Sequence, residues 1–225
     1  MNRLVLLVEG EGDVGAVPSL VGELLTQLPD DLQGQLFLDN APMKVGGVHQ
    51  ITGNRRDDLS RHLGNATRRS KLGAVLLVLD GDSDRVEGQP FCPATVARTI
   101  AQRATVAGAG VVFSFAAVFL PQEYESLLLT VADQFPGLKP GVTLPPNPEE
   151  APRDAKGWLD RNLKGGYLPT ENQLELTRAV RDWAPVRMLR CFKRLEKALG
   201  ELATAMVTGQ RVVSPLPLES GATGN

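Results

Sequence analysis

Short apolar runs alternate along the chain with segments whose apolar residues recur every three or four positions. The clearest runs are residues 4–8, 74–79 and 111–119. Runs of this length between turn signals are typical of strands buried on both faces, as in parallel sheets. Residues 14–28 and 94–107 have the apolar spacing of helices. The alternation predicts a mostly parallel sheet with helices on both faces.

Between the first two runs the pattern is weaker. Residues 36–38 and 43–48 are candidate strands, and a helix beginning at Thr52 or Asn54 is predicted to run to about Ser70. The basic residues in and next to this helix indicate either a solvated face or a surface that faces phosphates. These residues are Arg55, Arg56, Arg61, Arg68, Arg69 and Lys71.

Proline and glycine are concentrated between residues 135 and 153, which predicts a boundary in the chain. We therefore expect an α/β domain over residues 1–134 and a Pro/Gly-rich loop over 135–153. A helical extension over 154–210 should pack on the core, and residues 211–225 should form a flexible tail. Helices in the extension are predicted over residues 154–163, 170–183 and 185–207.

The composition narrows the class of protein. A formal net charge of −2 and a pI of about 5.8 argue against a globally basic nucleic-acid binder, although one face could still be basic. Two distant cysteines, Cys92 and Cys191, do not form the framework of a secreted protein. No apolar run reaches the ~18 residues of a membrane span. We expect a cytoplasmic protein without a membrane segment.

Carboxylates follow two of the predicted strands at the point where each strand ends. Glu9 follows the first strand, and Asp80, Asp82 and Asp84 follow the strand over residues 74–79. Because the carboxyl ends of parallel strands meet at one edge of a sheet, we expect these side chains to lie close together. They would repel one another without a cation between them, and Mg²⁺ or Mn²⁺ prefers oxygen ligands of this kind.

A third acidic segment follows the strand over residues 111–119. Pro121 is tolerated at a helix start, and Glu123 and Glu125 would then lie in the first turn, where the helix dipole favours anions. That position alone explains both acids. Because the turn also follows a buried strand, one of them is expected to point at the same edge of the sheet as Glu9.

Other interpretations of these motifs match the residues less well. A calcium loop beginning at Asp80 would need glycine and glutamate where Arg85 and Phe91 stand. Gly10 and Gly12 resemble a dinucleotide turn, but the acids in the same turn would repel a pyrophosphate. Haloacid-dehalogenase phosphatases carry their Asp-x-Asp pair on the first strand rather than on a later one.

The Glu-Gly turn at Glu9 and the pair Asp80 and Asp82 resemble the Toprim fold of topoisomerases, primases and nucleases of the overcoming-lysogenization-defect type. The chain also resembles a defence-associated bacterial family of unknown function that has a Toprim-like core. That resemblance extends to Glu125 in EYESLLL, to Lys156 in DAKGWL and to the C-terminal helices. It implies a Toprim-like (Rossmann-like) α/β fold with a C-terminal helical extension.

The resemblance implies a metal-dependent nuclease that takes Mg²⁺ or Mn²⁺. Its implied catalytic residues are Glu9, Asp80, Asp82 and Lys156. Its implied metal ligands are Glu9, Asp80, Asp82 and Glu125, with Asp84 and Glu11 as further carboxylates of second rank. The substrate would be DNA or RNA, and a partner ATPase would act beside the chain in phage defence. The alternative is a non-catalytic subunit that keeps the fold and binds a partner.

Overall fold

The structure is a computed structural model that describes residues 1–52 and 57–217. The strands are β1 (Asn2–Val8), β2 (Leu36–Leu38), β3 (Met43–Lys44), β4 (Leu72–Gly81), β5 (Arg85–Val86), β6 (Gln89–Pro90), β7 (Ser114–Pro121) and β8 (Val213–Ser214). The α-helices are α1 (Asp13–Thr26), α2 (Val48–Thr52), α3 (Asp57–Thr67), α4 (Pro93–Val106), α5 (Glu125–Thr130), α6 (Ala155–Asn162), α7 (Pro169–Ala179) and α8 (Arg190–Thr208).

A parallel sheet forms the centre of the molecule. Its strand order is β2-β1-β4-β7-β8, and β3 also pairs with β1 beyond the end of β2. Successive side chains of a strand point to opposite faces, so an uninterrupted apolar run can supply two cores at once. In β1, Leu4, Leu6 and Val8 pack on one side of the sheet, while Val5 and Leu7 pack on the other.

Helices cover both faces of this sheet. α1 and α8 contribute to the first apolar core, and α3 and α4 contribute to the second. The predicted α/β architecture with a mostly parallel sheet, helices on both faces and C-terminal helices is therefore confirmed. Its physical basis is that β1, β4 and β7 are apolar along almost their whole length.

The C-terminal helices pack directly on this α/β layer. α7 lies against α1, and α8 lies across β7. Buried residues on one side of α8 join the same core as β1 and β4; they are Phe192, Leu195, Leu199 and Leu202. The long segment between α5 and α6 contains the Pro/Gly-rich stretch and also packs on this core through Phe135.

Three local predictions differ from the structure. Of the helix predicted from Thr52 or Asn54 to about Ser70, the structure shows α3, which ends earlier, at Thr67, and α2 precedes it; residues 53–56, including Arg55 and Arg56, lie outside the described residues. The helix predicted from residue 185 begins as a 3-10 turn, and α8 starts at Arg190. A flexible tail over 211–225 is wrong for Val213–Ser214, which pair with β7; residues 218–225 lie outside the described residues.

Strand register brings three loops to one edge. Val8 of β1 is level with Val78 of β4, and Asp80 of β4 is level with Leu120 of β7. The residues that follow these strands therefore emerge at the same height, at the carboxyl edge of the sheet. Among the described helices, none is both long enough and apolar enough to cross a bilayer.

Candidate functional site

A cleft of about 280 Å³ lies at the carboxyl edge of the sheet. The turn after β1, the end of β4, the start of α5 and the two helices α6 and α7 form its walls. The residues that line it are Glu9, Gly10, Glu11, Gly12, Asp13, Asp80, Asp82, Glu125, Lys156, Pro169, Thr170 and Gln173. Six of these twelve side chains are carboxylates, so the cleft has an unusual density of negative charge.

Glu9 and Asp80 are held together through the backbone. The Asp80 N–H donates to Glu9 Oε2 at 3.0 Å. Asp80 Oδ1 in turn accepts from the Tyr124 N–H at 3.0 Å, at the beginning of α5. Glu9 is thus anchored by the end of β4, and Asp80 by the segment between β7 and α5.

Glu125 is the most deeply buried of these acids, with a side chain 1% exposed. Its Oε1 accepts from the Tyr167 hydroxyl at 2.8 Å. Its Oε2 has no hydrogen-bond partner among the described residues and lies 3.7 Å from Lys156 Nζ. Buried polar atoms are nearly always hydrogen-bonded, so a carboxylate oxygen of a cleft residue without such a bond is a position at which a cation or a donor can bind.

Lys156 is the basic side chain among the described residues that line the cleft. Its Nζ lies 2.8 Å from Glu123 Oε2, 3.7 Å from Glu125 Oε2 and 4.0 Å from Asp80 Oδ2. The Lys156 backbone N–H also donates to Glu123 Oε1 at 2.8 Å, and this contact fixes the start of α6 against α5. Glu123 therefore ties Lys156 in place, whereas Glu125 lines the cleft.

The electrostatics show that one lysine does not neutralise the cleft. Burial raises the pKa of Glu9 to about 6, although the hydrogen bond from Asp80 opposes the change. Burial also raises the pKa of Glu125 to about 7, against the attraction of Lys156. For Asp80, burial and then the neighbouring charges of Asp13, Glu9 and Glu125 push the pKa well above its usual range.

Lys156 responds in the opposite sense. Its burial alone would lower the lysine pKa, but Glu125, Glu123 and Asp80 together raise it. The lysine is therefore fully charged, while the buried acids around it hold protons at pH values where exposed acids are ionised. Clefts in which several pKa values are displaced in this way are typical of functional sites.

The residues present have the chemistry of a hard-cation site. Carboxylates predominate among the polar groups that line the cleft, and Oε2 of Glu125 accepts no hydrogen bond among the described residues. As the side chains stand in residues 1–52 and 57–217, no three carboxylate, histidine or cysteine groups are already arranged to hold a metal ion. Lys156 instead occupies the space between Asp80 and Glu125, so a bound cation would share or take over that position.

The structure brings most of the sequence-predicted residues together and leaves one out. Glu9, Asp80, Glu125 and Lys156 meet as described, and Asp82 lines the cleft with an exposed side chain. The remaining acid of that loop, Asp84, is 92% exposed, lies 3.7 Å from Arg153 and does not line the cleft.

Two residues of the cleft escaped the sequence reasoning. Asp13, at the start of α1, accepts from the Gly10 N–H at 2.8 Å and from Gln173 Nε2 at 2.9 Å. A weak signal for Asp13 was present, because it is the third acid in the turn after β1. Gln173 lies 160 positions from Asp13, and no local pattern marks it.

A larger cavity of about 540 Å³ lies between α4 and α8. Its single carboxylate, Glu149, already accepts from the Cys191 N–H at 2.8 Å and lies 3.5 Å from Arg190 Nε. The other walls are mainly apolar. The smaller cleft is the better candidate site, because its charges are only partly compensated.

Comparison of the chain with protein-family models, with curated proteins and with solved structures yields no match.

Proposed function

We propose that the chain is a Mg²⁺- or Mn²⁺-dependent phosphodiesterase that cleaves nucleic acid at a Toprim-like site. The observation that carries the proposal is the convergence of Glu9, Asp80, Asp82 and Glu125 on one cleft with a single lysine. Buried carboxylates without enough partners destabilise a protein, and such clusters persist where a bound cation or a reaction requires them.

A divalent cation in this cleft would supply charge neutralisation for the attacking and leaving oxygens of a phosphodiester. Asp80, Asp82 and Glu125 would hold it, since their oxygens face the cleft from the ends of two neighbouring strands. The unpaired Oε2 of Glu125 supports this assignment most directly.

Glu9 is suited to moving a proton. Its pKa of about 6 lies close to neutral pH, where a general acid or base is most effective. Its Oε2 is fixed by the Asp80 N–H, so the other oxygen, Oε1, is available to a water or to a substrate oxygen. Lys156, which is half exposed and fully charged, would contact a phosphate oxygen.

Nucleic acid as the substrate, and a role in bacterial defence beside a partner ATPase, follow from the family resemblance. The net charge of −2 is compatible with a polyanion, because cations held by the carboxylates reverse the local charge.

The test is a cleavage assay on the purified full chain. Labelled single- and double-stranded DNA and RNA are incubated with Mn²⁺, with Mg²⁺ or with EDTA, beside Asp80→Asn and Glu9→Gln. We expect metal-dependent cleavage that falls at least ~100-fold in both variants, because each removes a charge that the reaction requires.

The matched control is Asp31→Asn, which removes an exposed carboxylate from the turn before β2, far from the cleft. It should cleave as the parent chain does. Equal cleavage by Asp80→Asn and the parent would indicate a contaminating nuclease and overturn the proposal.

The second candidate is a non-catalytic subunit that binds a partner. One observation favours it: among the described residues that line the cleft, Lys156 alone is basic, and it already contacts three carboxylates.

A thermal shift separates the two functions. At a hundredfold excess over Kd, Mn²⁺ should raise the Tm of an enzyme of this size by about 5–10 °C, and Asp80→Asn should abolish the shift. A metal-independent Tm would favour the binding subunit.

A further inference from the structure

Helix α7 belongs to the C-terminal extension, yet three of its residues line the cleft. Pro169, Thr170 and Gln173 form the wall that faces the turn after β1. Gln173 is 2% exposed, and its Nε2 donates to Asp13 Oδ1 at 2.9 Å. The opposite oxygen of Asp13 accepts from the Gly10 N–H, next to Glu9. One side chain of α7 thus holds the turn that carries Glu9.

The same helix also reaches the loop between β7 and α5. The Thr177 hydroxyl donates to the Gln173 carbonyl at 2.7 Å, so the Tyr124 hydroxyl, 2.9 Å from Thr177 Oγ1, is the donor in that pair. The Tyr124 N–H donates to Asp80 Oδ1. α7 is therefore connected both to the turn after β1 and to the carboxylate at the end of β4.

Two glycines, Gly12 just before α1 and Gly15 within it, make this contact close. A Cβ at Gly12 would lie 1.9 Å from Gln173 Oε1, and a Cβ at Gly15 would lie 3.0 Å from Leu174. Gly12 has φ −61°, a conformation that any residue adopts, so the missing side chain relates to space rather than to backbone strain. Gly12 and Gly15 thus let α7 approach the beginning of α1 and the cleft beside it.

We propose that Gln173 is a positioning residue of the cleft and that the docking of α7 regulates its affinity for a divalent cation. Gln173 orients Asp13, Asp13 holds the Gly10 N–H, and the Glu9 carboxylate is thereby kept at the end of β4. This role rests on the proposed function, since it requires a cation in the cleft. Binding free energies are reciprocal, so the cation must in turn stabilise the docked helix.

The experiment compares Gln173→Met with Gln134→Met in the full chain. Both substitutions remove an amide that links the α/β layer to the extension, because Gln134 donates to the Asp182 carbonyl and accepts from the Arg181 and Asp182 N–H groups, away from the cleft. The Kd for Mn²⁺ is measured by electron paramagnetic resonance. Amide hydrogen exchange in α7 is measured with and without Mn²⁺.

We expect Gln173→Met to weaken Mn²⁺ binding about tenfold, as the loss of residues that orient metal ligands does elsewhere. Gln134→Met should stay within about twofold of the parent. Mn²⁺ should slow exchange across α7 in the parent and in Gln134→Met, and this protection should be absent from Gln173→Met. A purely structural glutamine would change stability without this metal-dependent protection.

A second variant guards against a failure to fold. Gly12→Ala keeps Gln173 but displaces its side chain, and it should weaken Mn²⁺ binding in the same direction. If the parent binds Mn²⁺ and cleaves nucleic acid while both variants bind Mn²⁺ as Gln134→Met does, the role of Gln173 is overturned and the proposed function stands. If the parent binds no Mn²⁺, both are overturned.

Discussion

Two groups of charged residues in this molecule shift the pKa values of their carboxylates in opposite directions. Asp39, after β2, is 3% exposed and forms ion pairs with both Arg3 and Arg69, near the beginnings of β1 and β4. Burial alone would raise its pKa, but the Ala41 N–H and the two arginines lower it. In the cleft at the other end of β1, the pKa values of the buried acids are raised.

The difference lies in the ratio of cations to anions. Two guanidinium groups surround one carboxylate at Asp39, whereas one ammonium group serves several carboxylates in the cleft. The first arrangement ties strands together and leaves no negative charge uncompensated. The second leaves the protein less stable than it could be, which is expected where a ligand is to bind.

The largest expected effect on stability is the pH dependence caused by Glu125. Its pKa is about 7 in the folded state and 4.5 ordinarily, so the folded state retains a proton that the unfolded state has lost. Stability from this group is complete below pH 4.5 and is lost as the pH rises through 7. Without metal, raising the pH from 5 to 8 should cost about 2.5 kcal/mol through this residue.

Urea unfolding of the parent and of Glu125→Gln at pH 5 and pH 8 measures this effect. The glutamine keeps an oxygen for the Tyr167 hydroxyl. The difference in unfolding free energy between the two proteins should change by about 2.5 kcal/mol between these pH values. A difference that stays constant with pH would show that Glu125 titrates normally.

The second-largest expected effect on stability concerns Asp39. Asp39→Asn leaves two arginines beside a neutral side chain and should destabilise the chain by about 2 kcal/mol, since removing one partner of a buried ion pair leaves charge uncompensated. The increase in Tm caused by Mn²⁺ should be unchanged. A loss of the Mn²⁺ effect in this variant would mean that the two clusters are coupled, and the contrast between them would fail.

The smallest effect is expected at Lys156, whose side chain is 42% exposed. In Lys156→Gln the carboxylates lose their competing cation, so Mn²⁺ should bind about fivefold more tightly, or roughly 1 kcal/mol for an ion pair of this exposure. Cleavage should nevertheless decrease, because the contact with phosphate is lost. Titration calorimetry measures the Mn²⁺ affinity and the cleavage assay measures the activity, with Lys164→Gln, at an exposed lysine, as the control. Weaker Mn²⁺ binding by Lys156→Gln would contradict the expected competition between the lysine and the cation.

The sequence was sufficient for the architecture because β1, β4 and β7 are apolar on both faces, and such runs have few alternatives. It was insufficient for β8, whose two residues form a strand only because the edge of β7 is beside them. The short helix α2 was not predicted, since five residues carry too little periodicity to identify a helix.

For the candidate site, the sequence placed acids at strand ends, and strand register then brought Glu9 and Asp80 together. The choice between Glu123 and Glu125 needed the position of Lys156, which comes from another helix. Gln173 could not be predicted at all, because an amide that acts through Asp13 has no spacing rule of its own.

The separation of 160 positions between Asp13 and Gln173 has a consequence for synthesis on the ribosome. The acids of the turn after β1 are translated well before the amide that holds them. Contacts so distant in sequence form late in folding. A nascent chain that has not yet reached α7 would therefore carry these carboxylates without the helix that orders them.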